Sequence, residues 1–331
     1  MEGFRYTLAA FAVQSGGYEG VNCNTAALGD LIVTGITLGS VYALIALGYT
    51  MVYGVLKLIN FAHDSIFMIG AAAAYYLFVV WFGWTEEVSG IGLIVLTLVG
   101  LMFSALASGG AALTLERLAY RPLRRRGAAR LSFLIAAVGA SFFVTYLFQQ
   151  EFLLGTAEHN FGSFMPSTPI FEVIGSPLNR PRLLLILGAV VMFIVLDRFV
   201  RTTRTGRSIR AVSEDIDAAR MMGVNVDRVV ATTFFIGGFF GGIAGFLYAL
   251  VFRKVAWNLG FIPGIKAFTS AVLGGIGNLR GAVLGGLLLG LIENLSTICI
   301  GSEWRNVVAF SVLVLVLIFR PTGVLGEGLA K

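Results

Sequence analysis

The chain has 331 residues, 57% of them hydrophobic and only 13% charged, with a net charge of +6. A soluble domain is roughly a quarter charged. This composition, with a mean hydropathy of +0.86, therefore excludes an ordinary soluble globule and points to an integral membrane protein. The basic residues are clustered and form no patch on a soluble face, which excludes a nucleic-acid surface and reads as membrane topology.

In chain order, Met1–Asp30 is mixed and Gly-rich, and its apolar patch at Thr7–Val13 is too brief to span. Residues 1–15 lack the basic start and clean apolar core of a cleavable signal peptide. Apolar runs at Leu31–Val55, Phe61–Trp84 and Ile91–Leu115 predict three spans. Glu116–Arg130 then carries six arginines around Pro122, and Leu131–Phe148 is the fourth span. Gln149–Pro181 is a polar, Pro-rich connection, followed by spans at Leu183–Val200 and Val229–Phe252. Ala267–Ile300 is too long for one straight span and is interrupted at Gly277–Gly281. A re-entrant half-helix followed by a span is preferred there over one tilted helix, because non-helical backbone at membrane depth survives only inside protein or beside water. Val307–Phe319 is the final span. The fold class is an all-α polytopic bundle of about eight transmembrane helices, with a broken or re-entrant helix near residues 267–300. An external segment, 1–30, precedes one transmembrane domain, 31–331.

The positive-inside rule sets the orientation. Both Arg-rich segments, Glu116–Arg130 and Asp197–Arg228, are separated by an even number of spans and face the cytoplasm. The N-terminus, the Glu86–Glu87 turn and the Gln149–Pro181 connection then lie outside. Arg320 favours a cytoplasmic C-terminus, whereas a re-entrant piece puts that end outside, and both stay open. Cys23 and Cys299 have no metal-ligand spacing and read as independent thiols, with a disulfide as the alternative if both lie outside.

One polar stretch, Thr205–Asp227, interrupts the apolar pattern. Ile209, Val212, Ile216 and Met221/Met222 recur at helical spacing with charges between them, which predicts a short amphipathic helix at the membrane surface. Gly223 suits its C-terminus and Asp227 the N-cap of the next span. The apolar stripe is too large for its own loop to bury, so lipid or a partner is expected to cover it.

Asn60, His63, Asp64 and Phe67 fall at i, i+3, i+4 and i+7 at the start of the second span. This face either lines a conduit, since a charge inside a bilayer usually faces protein or water, or sits at the cytoplasmic interface and caps the span. Glu293 and Asn294 read as an end-of-helix pair wetted at the interface. The arginines at 117–130 read as orientation charges that meet anionic lipid. Tyr42, Tyr49, Tyr53 and Phe61 read as packing between helices. No Gly-Lys dipeptide, HExxH or GxSxG occurs, and there are two histidines. The glycines of Gly275–Gly281 are not spaced as a dinucleotide fingerprint. No catalytic residues and no metal or cofactor site are expected on this chain, and nucleotide that powers transport would be bound by another polypeptide.

Three stretches, Gly39–Asp64, Gly206–Val230 and Gly264–Gly286, with Arg320–Glu327, resemble the permease subunits of bacterial and archaeal branched-chain amino acid ABC transporters, a group that includes urea and short-amide permeases. The resemblance implies a prokaryotic cell membrane and partner ABC ATPases that hold ATP and Mg. It also implies a second homologous permease or second copy, an extracytoplasmic solute-binding protein, and no nucleic acid. In such permeases the cytoplasmic amphipathic helix docks on the ATPase; carried over, Arg210, Glu214, Asp215, Asp217, Ala218 and Gly223 sit in or flank it. The family has Gly and then an acid after the histidine, whereas Asp64 and Ser65 stand here, moving the carboxylate about 100° around a helix. The function expected is an ATP-driven importer subunit for branched-chain amino acids or related small polar solutes. The alternatives are a urea/amide permease, an ion-coupled carrier using His63/Asp64, and a non-transporting membrane scaffold.

Overall fold

The computed structural model describes residues 28–84, 87–173 and 175–326. Residues 1–27 of the segment expected outside, Cys23 among them, and Glu86 of the Glu86–Glu87 turn lie outside the described residues. Among the described residues no cysteine is free, so the expectation of independent thiols fails at Cys299.

Helix α1, Leu28–Leu56, is apolar on every side, and each residue from Gly39 to Val52 is buried. A helix apolar all round belongs inside a bundle, and α1 is the central post here. Helix α2, His63–Tyr75, continues through a π-helical turn to Trp81. Helix α3, Ile91–Leu115, runs through a second π-helical turn, Glu116–Tyr120, into the short α4, Arg121–Arg125. Helix α5, Arg130–Phe148, buries only Phe133 and Ala137 and stands at the periphery. Helix α6, Arg180–Thr202, has Pro181 in its first turn, where a missing N–H costs nothing. Helices α7, Arg204–Glu214, and α8, Ile216–Met221, lead into α9, Val226–Phe252. Helices α10, Phe261–Gly274, α11, Leu279–Ile300, and α12, Arg305–Phe319, complete the bundle.

Eight helical stretches among the described residues are long and apolar enough to cross a membrane. Helix α10, with 14 residues, is too short, so the expected half-helix followed by a span is what forms. Its break is made by Gly275 and Gly277, both at φ near +100°. Asn278 then caps α11 by accepting from the Arg280 and Gly281 N–H groups. The helix hairpin closes without side chains at Gly274 and Gly281, whose added Cβ atoms would each meet the other's backbone. Helix α11 packs antiparallel on α1, where a Cβ on Gly39 would lie 2.9 Å from the Gly286 carbonyl. This is the close approach that small residues permit between membrane helices.

The 149–179 connection is not wholly irregular. Strands β1, His159–Asn160, and β4, Lys254–Val255, pair antiparallel, tying the connection to the end of α9. Strands β2, Pro169–Val173, and β3, Ser176–Asn179, pair antiparallel with each other. Phe161 and Phe164 plug this end of the bundle; Phe164 stacks on Phe78 at 4.8 Å. At the opposite end the two Arg-rich segments meet, with Arg124 Nη2 donating to Asp227 Oδ1 at 2.6 Å. Arg121 and Arg125 contact the same carboxylate. They occupy one end of the bundle, as an even number of intervening spans requires.

Candidate functional site

The chain leaves α1 through Lys57, which takes a positive φ of 51°, and re-enters the bundle before α2 begins. Asn60 shapes this re-entry: its Oδ1 accepts from the Ala62 N–H at 3.2 Å and from the Tyr120 hydroxyl at 2.8 Å. Helix α2 starts only at His63. Asn60 therefore precedes the helix, and does not share a helical face with the three residues grouped with it from the sequence.

Those three divide between two directions. The His63 ring lies edge-on to Tyr49 at 4.9 Å and in the notch left by Gly48 and Gly241. Phe67, one turn on, meets Tyr248 edge-to-face at 5.6 Å and so also faces α9. Asp64, about 100° further around the helix than His63, turns toward α5 and α10. Its Oδ1 accepts from the Ser65 N–H at 2.6 Å, and Oδ1 and Oδ2 accept from the Ser141 hydroxyl at 2.9 and 3.2 Å. Gly260 and Gly264 let the start of α10 lie against Asp64, since a Cβ at either would strike it.

All four residues are buried: Asn60 is 2% exposed, His63 1%, Asp64 8% and Phe67 0%. Asn60 Nδ2 and His63 Nε2 have no hydrogen-bond partner among the described residues. Depth can be measured along α1. Gly48, against His63, is eight residues from Leu56, about 12 Å at 1.5 Å per residue. The group thus lies below the Arg-rich end rather than at it.

A second buried polar group corrects the expectation for Glu293 and Asn294. They do not lie wetted at a helix end; both are within the bundle, at 1% and 0% exposure. Lys266 Nζ donates to Glu293 Oε1 at 2.6 Å and the Tyr42 hydroxyl to Glu293 Oε2 at 3.0 Å. Arg305 approaches the same carboxylate at 3.9 Å. Tyr42 is fourteen residues from either end of α1, so the ion pair sits at mid-bundle. Sequence reasoning missed Lys266, although a single cation inside an apolar helix is itself the signal for an intramembrane partner. It also missed the buried Glu116–Arg124 pair at 3.0 Å and the hydroxyl of Ser141.

The polar stretch 205–227 forms two helices, not one. Thr203 caps α7 by accepting from the Gly206 N–H at 2.9 Å. Asp215 breaks the pair and caps α8, accepting from the Asp217 and Ala218 N–H groups at 2.8 and 3.0 Å. Gly223 ends the segment at φ 81°, as its position predicted. The N-cap of α9 is Asn225, not Asp227, with Oδ1 accepting from the Arg228 N–H at 3.0 Å. The expectation that this stripe needs outside cover is also corrected. Ile209, Val212 and Ala219 are buried against α1, α6 and α9 of the same chain. What stays uncovered is the tip: Met221 and Met222 are 83% and 84% exposed, beside exposed Arg210, Glu214, Asp215, Asp217 and Ala218.

The profile of the family described as branched-chain amino acid transport system / permease component matches residues 31–317. The chain is 37% identical over 302 residues to the high-affinity branched-chain amino acid transport system permease protein BraD of Pseudomonas aeruginosa, covering 89% of this chain and 95% of BraD. It is 38% identical over 308 residues to the LivH permease protein of the corresponding system in Escherichia coli K12, covering 88% and 94%. A more distant match, 31% over 167 residues, is to the autoinducer 2 import system permease protein LsrC of Yersinia pseudotuberculosis, covering 46% and 43%. No solved structure matches. The chain therefore belongs to the family of branched-chain amino acid transport permease components.

Proposed function

We propose that the chain is the transmembrane subunit of an ATP-driven importer that moves branched-chain amino acids across a prokaryotic cell membrane. ATP and Mg are bound and hydrolysed on partner ATPases at the Arg-rich, cytoplasmic end. A solute-binding protein delivers cargo at the opposite face, where the N-terminus lies, and a second homologous permease or a second copy completes the path. The names of the relatives support the cargo class.

The observation that carries the coupling role is the α7–α8 pair. Its apolar side is anchored in the bundle by Ile209 and Val212, while its tip presents Met221 and Met222. Methionine at an exposed tip, ringed by charges, suits a protein groove, because the thioether fits irregular apolar surfaces. A rigid body anchored in this way transmits a push: closure of the ATPases displaces α7–α8 and switches access by rigid-body motion.

The test is charge reversal at Glu214 and Asp215 in the assembled transporter. Uptake is expected to be lost or uncoupled from ATP hydrolysis. Unchanged ATPase co-purification together with unchanged transport would refute the assignment.

A further inference from the structure

Three acids are almost fully buried among the described residues: Asp64, Glu116 and Glu293. Two of them have a cation, Arg124 at 3.0 Å from Glu116 and Lys266 at 2.6 Å from Glu293. Asp64 has none within ion-pair distance among the described residues, and its partners are a backbone N–H and the hydroxyls of Ser65 and Ser141. Its neighbour His63 is not a partner either, because that ring lies between Gly48 and Gly241 on the other side of the helix. A carboxylate taken out of water without a counter-ion is costly, and membrane proteins keep such groups where a charged ligand passes.

The surroundings are those of a cation receptor. Ser65 Oγ lies 3.1 Å from Ser141 Oγ and 3.3 Å from Thr145 Oγ1. One carboxylate and three hydroxyls thus converge between α2 and α5. An alkylammonium has three N–H donors and no acceptor, and this all-oxygen group matches it in charge and number. Ser141 and Thr145 are one turn apart on α5, the span that buries only two of its own residues. Both buried residues, Phe133 and Ala137, precede Ser141, so the later half of α5 can swing away from Asp64 while its first half stays packed.

We infer that Asp64, with the Ser65, Ser141 and Thr145 hydroxyls, receives the ammonium group of an amino-acid cargo when α5 moves aside. The assignment rests on the importer reading above and gives the charge-bearing end of the cargo a place within this chain.

The experiment uses the full transporter, permeases with ATPases, in proteoliposomes, with radiolabelled leucine delivered by its binding protein. ATP-dependent uptake and binding-protein-stimulated ATP hydrolysis are read together for wild type, Asp64→Asn, Asp64→Glu and Ser141→Ala. Asp64→Asn is expected to lower uptake at least tenfold while stimulated hydrolysis stays within twofold. Asp64→Glu, which restores the charge, should recover a third or more of uptake, and Ser141→Ala should lower uptake several-fold. Near-normal uptake by an assembled Asp64→Asn complex would overturn the assignment. So would equal loss of uptake and of stimulated hydrolysis in both Asp64 variants, which marks a structural role. If Asp64→Asn does not assemble, Ser141→Ala decides, and unchanged uptake in that variant overturns the assignment. A strict requirement of wild-type uptake for sodium replaces the ammonium with a metal ion. Failure of the wild-type complex to take up leucine with ATP is a different result: it removes the importer reading, and the assignment with it.

Discussion

Replacing Lys266 by methionine removes the cation from the ion pair at mid-bundle while nearly keeping the volume of the side chain. Glu293 then retains the Tyr42 hydroxyl at 3.0 Å and, further off, Arg305 at 3.9 Å. Removing one partner of a buried pair costs about 3–5 kcal/mol, since the remaining charge is left uncompensated. Arg305 moderates this, because a small shift brings its guanidinium onto Glu293, so the lower figure, about 3 kcal/mol, is expected for Lys266→Met. At about 1.4 kcal/mol per factor of ten, that is a loss of roughly a hundredfold in the folding equilibrium. The double variant Lys266→Met, Glu293→Leu removes both charges and should cost less than the single change, because apolar replacement of a whole buried pair is often neutral. The assay is unfolding of the detergent-solubilised chain by rising sodium dodecyl sulfate, followed by tryptophan fluorescence. A double variant whose loss equals the sum of the two single losses would refute the argument, because it would show no energetic coupling between the two side chains.

Three further outcomes follow from the packing and the ion pairs. Gly286→Val should unfold the chain or destabilise it by about 3 kcal/mol or more, since even a Cβ there lies 2.6 Å from the Ala43 nitrogen. Gly54→Ala, with nothing within 4 Å of the added Cβ, should be neutral or slightly stabilising; the same unfolding assay checks both. Asp227→Asn weakens contacts to Arg121, Arg124 and Arg125, a part-exposed network for which about 1–2 kcal/mol is expected. Trypsin should then cut at Arg124–Arg126 about tenfold faster, and an unchanged rate would mean that Asp227 does not hold α4 in place.

The spans were legible because hydropathy over roughly 20 residues is a long-range signal that one substitution does not erase. The break at Gly275–Asn278 and the end at Gly223 were legible because glycine at positive φ leaves a mark in the sequence. Depth and partner were not. The spacing of Ile209 and Val212 says that an apolar face exists, but the same spacing is compatible with lipid, with a partner or with the chain's own helices, and the last applies. Glu293 shows the same limit, since a charge ten residues from the centre of a helix and one at mid-bundle look alike until the helix is placed. Asp227 and Asn225 are both sound caps two residues apart, and Asp227 is drawn off by three arginines from a segment a hundred residues away. Asn60 sits three residues before His63, a helical interval, yet the backbone there is still turning.

The two candidate surfaces are joined by a short mechanical route. Ile209, Val212 and Ala219 of α7 and α8 pack in the same cluster as Val226, Val229, Val230 and Phe234 of α9. Helix α9 then lies on Gly48 and Val52 of α1 at Gly237, meets the His63 ring at Gly241, and lies against the Phe67 and Ala71 backbone at Gly245. At Gly245, and where Gly242 lies against Gly70, helix backbone rests directly on α2 backbone, so there is no flexible side chain to absorb a displacement. Packed interiors transmit strain for this reason. A movement of α7–α8 at the Arg-rich end therefore reaches the start of α2 through α9, about 12 Å along α1. Helix α5 shares that cluster only at Phe133 and Ala137; further along, it meets α2 through the Asp64, Ser65, Ser141 and Thr145 hydrogen bonds. The driven side of α2 is thus close-packed backbone and the yielding side is a set of hydrogen bonds. Under the cargo assignment made above, the hydrogen-bonded contact of α5 with Asp64, and not the close-packed core, is the outlet for a push on α9.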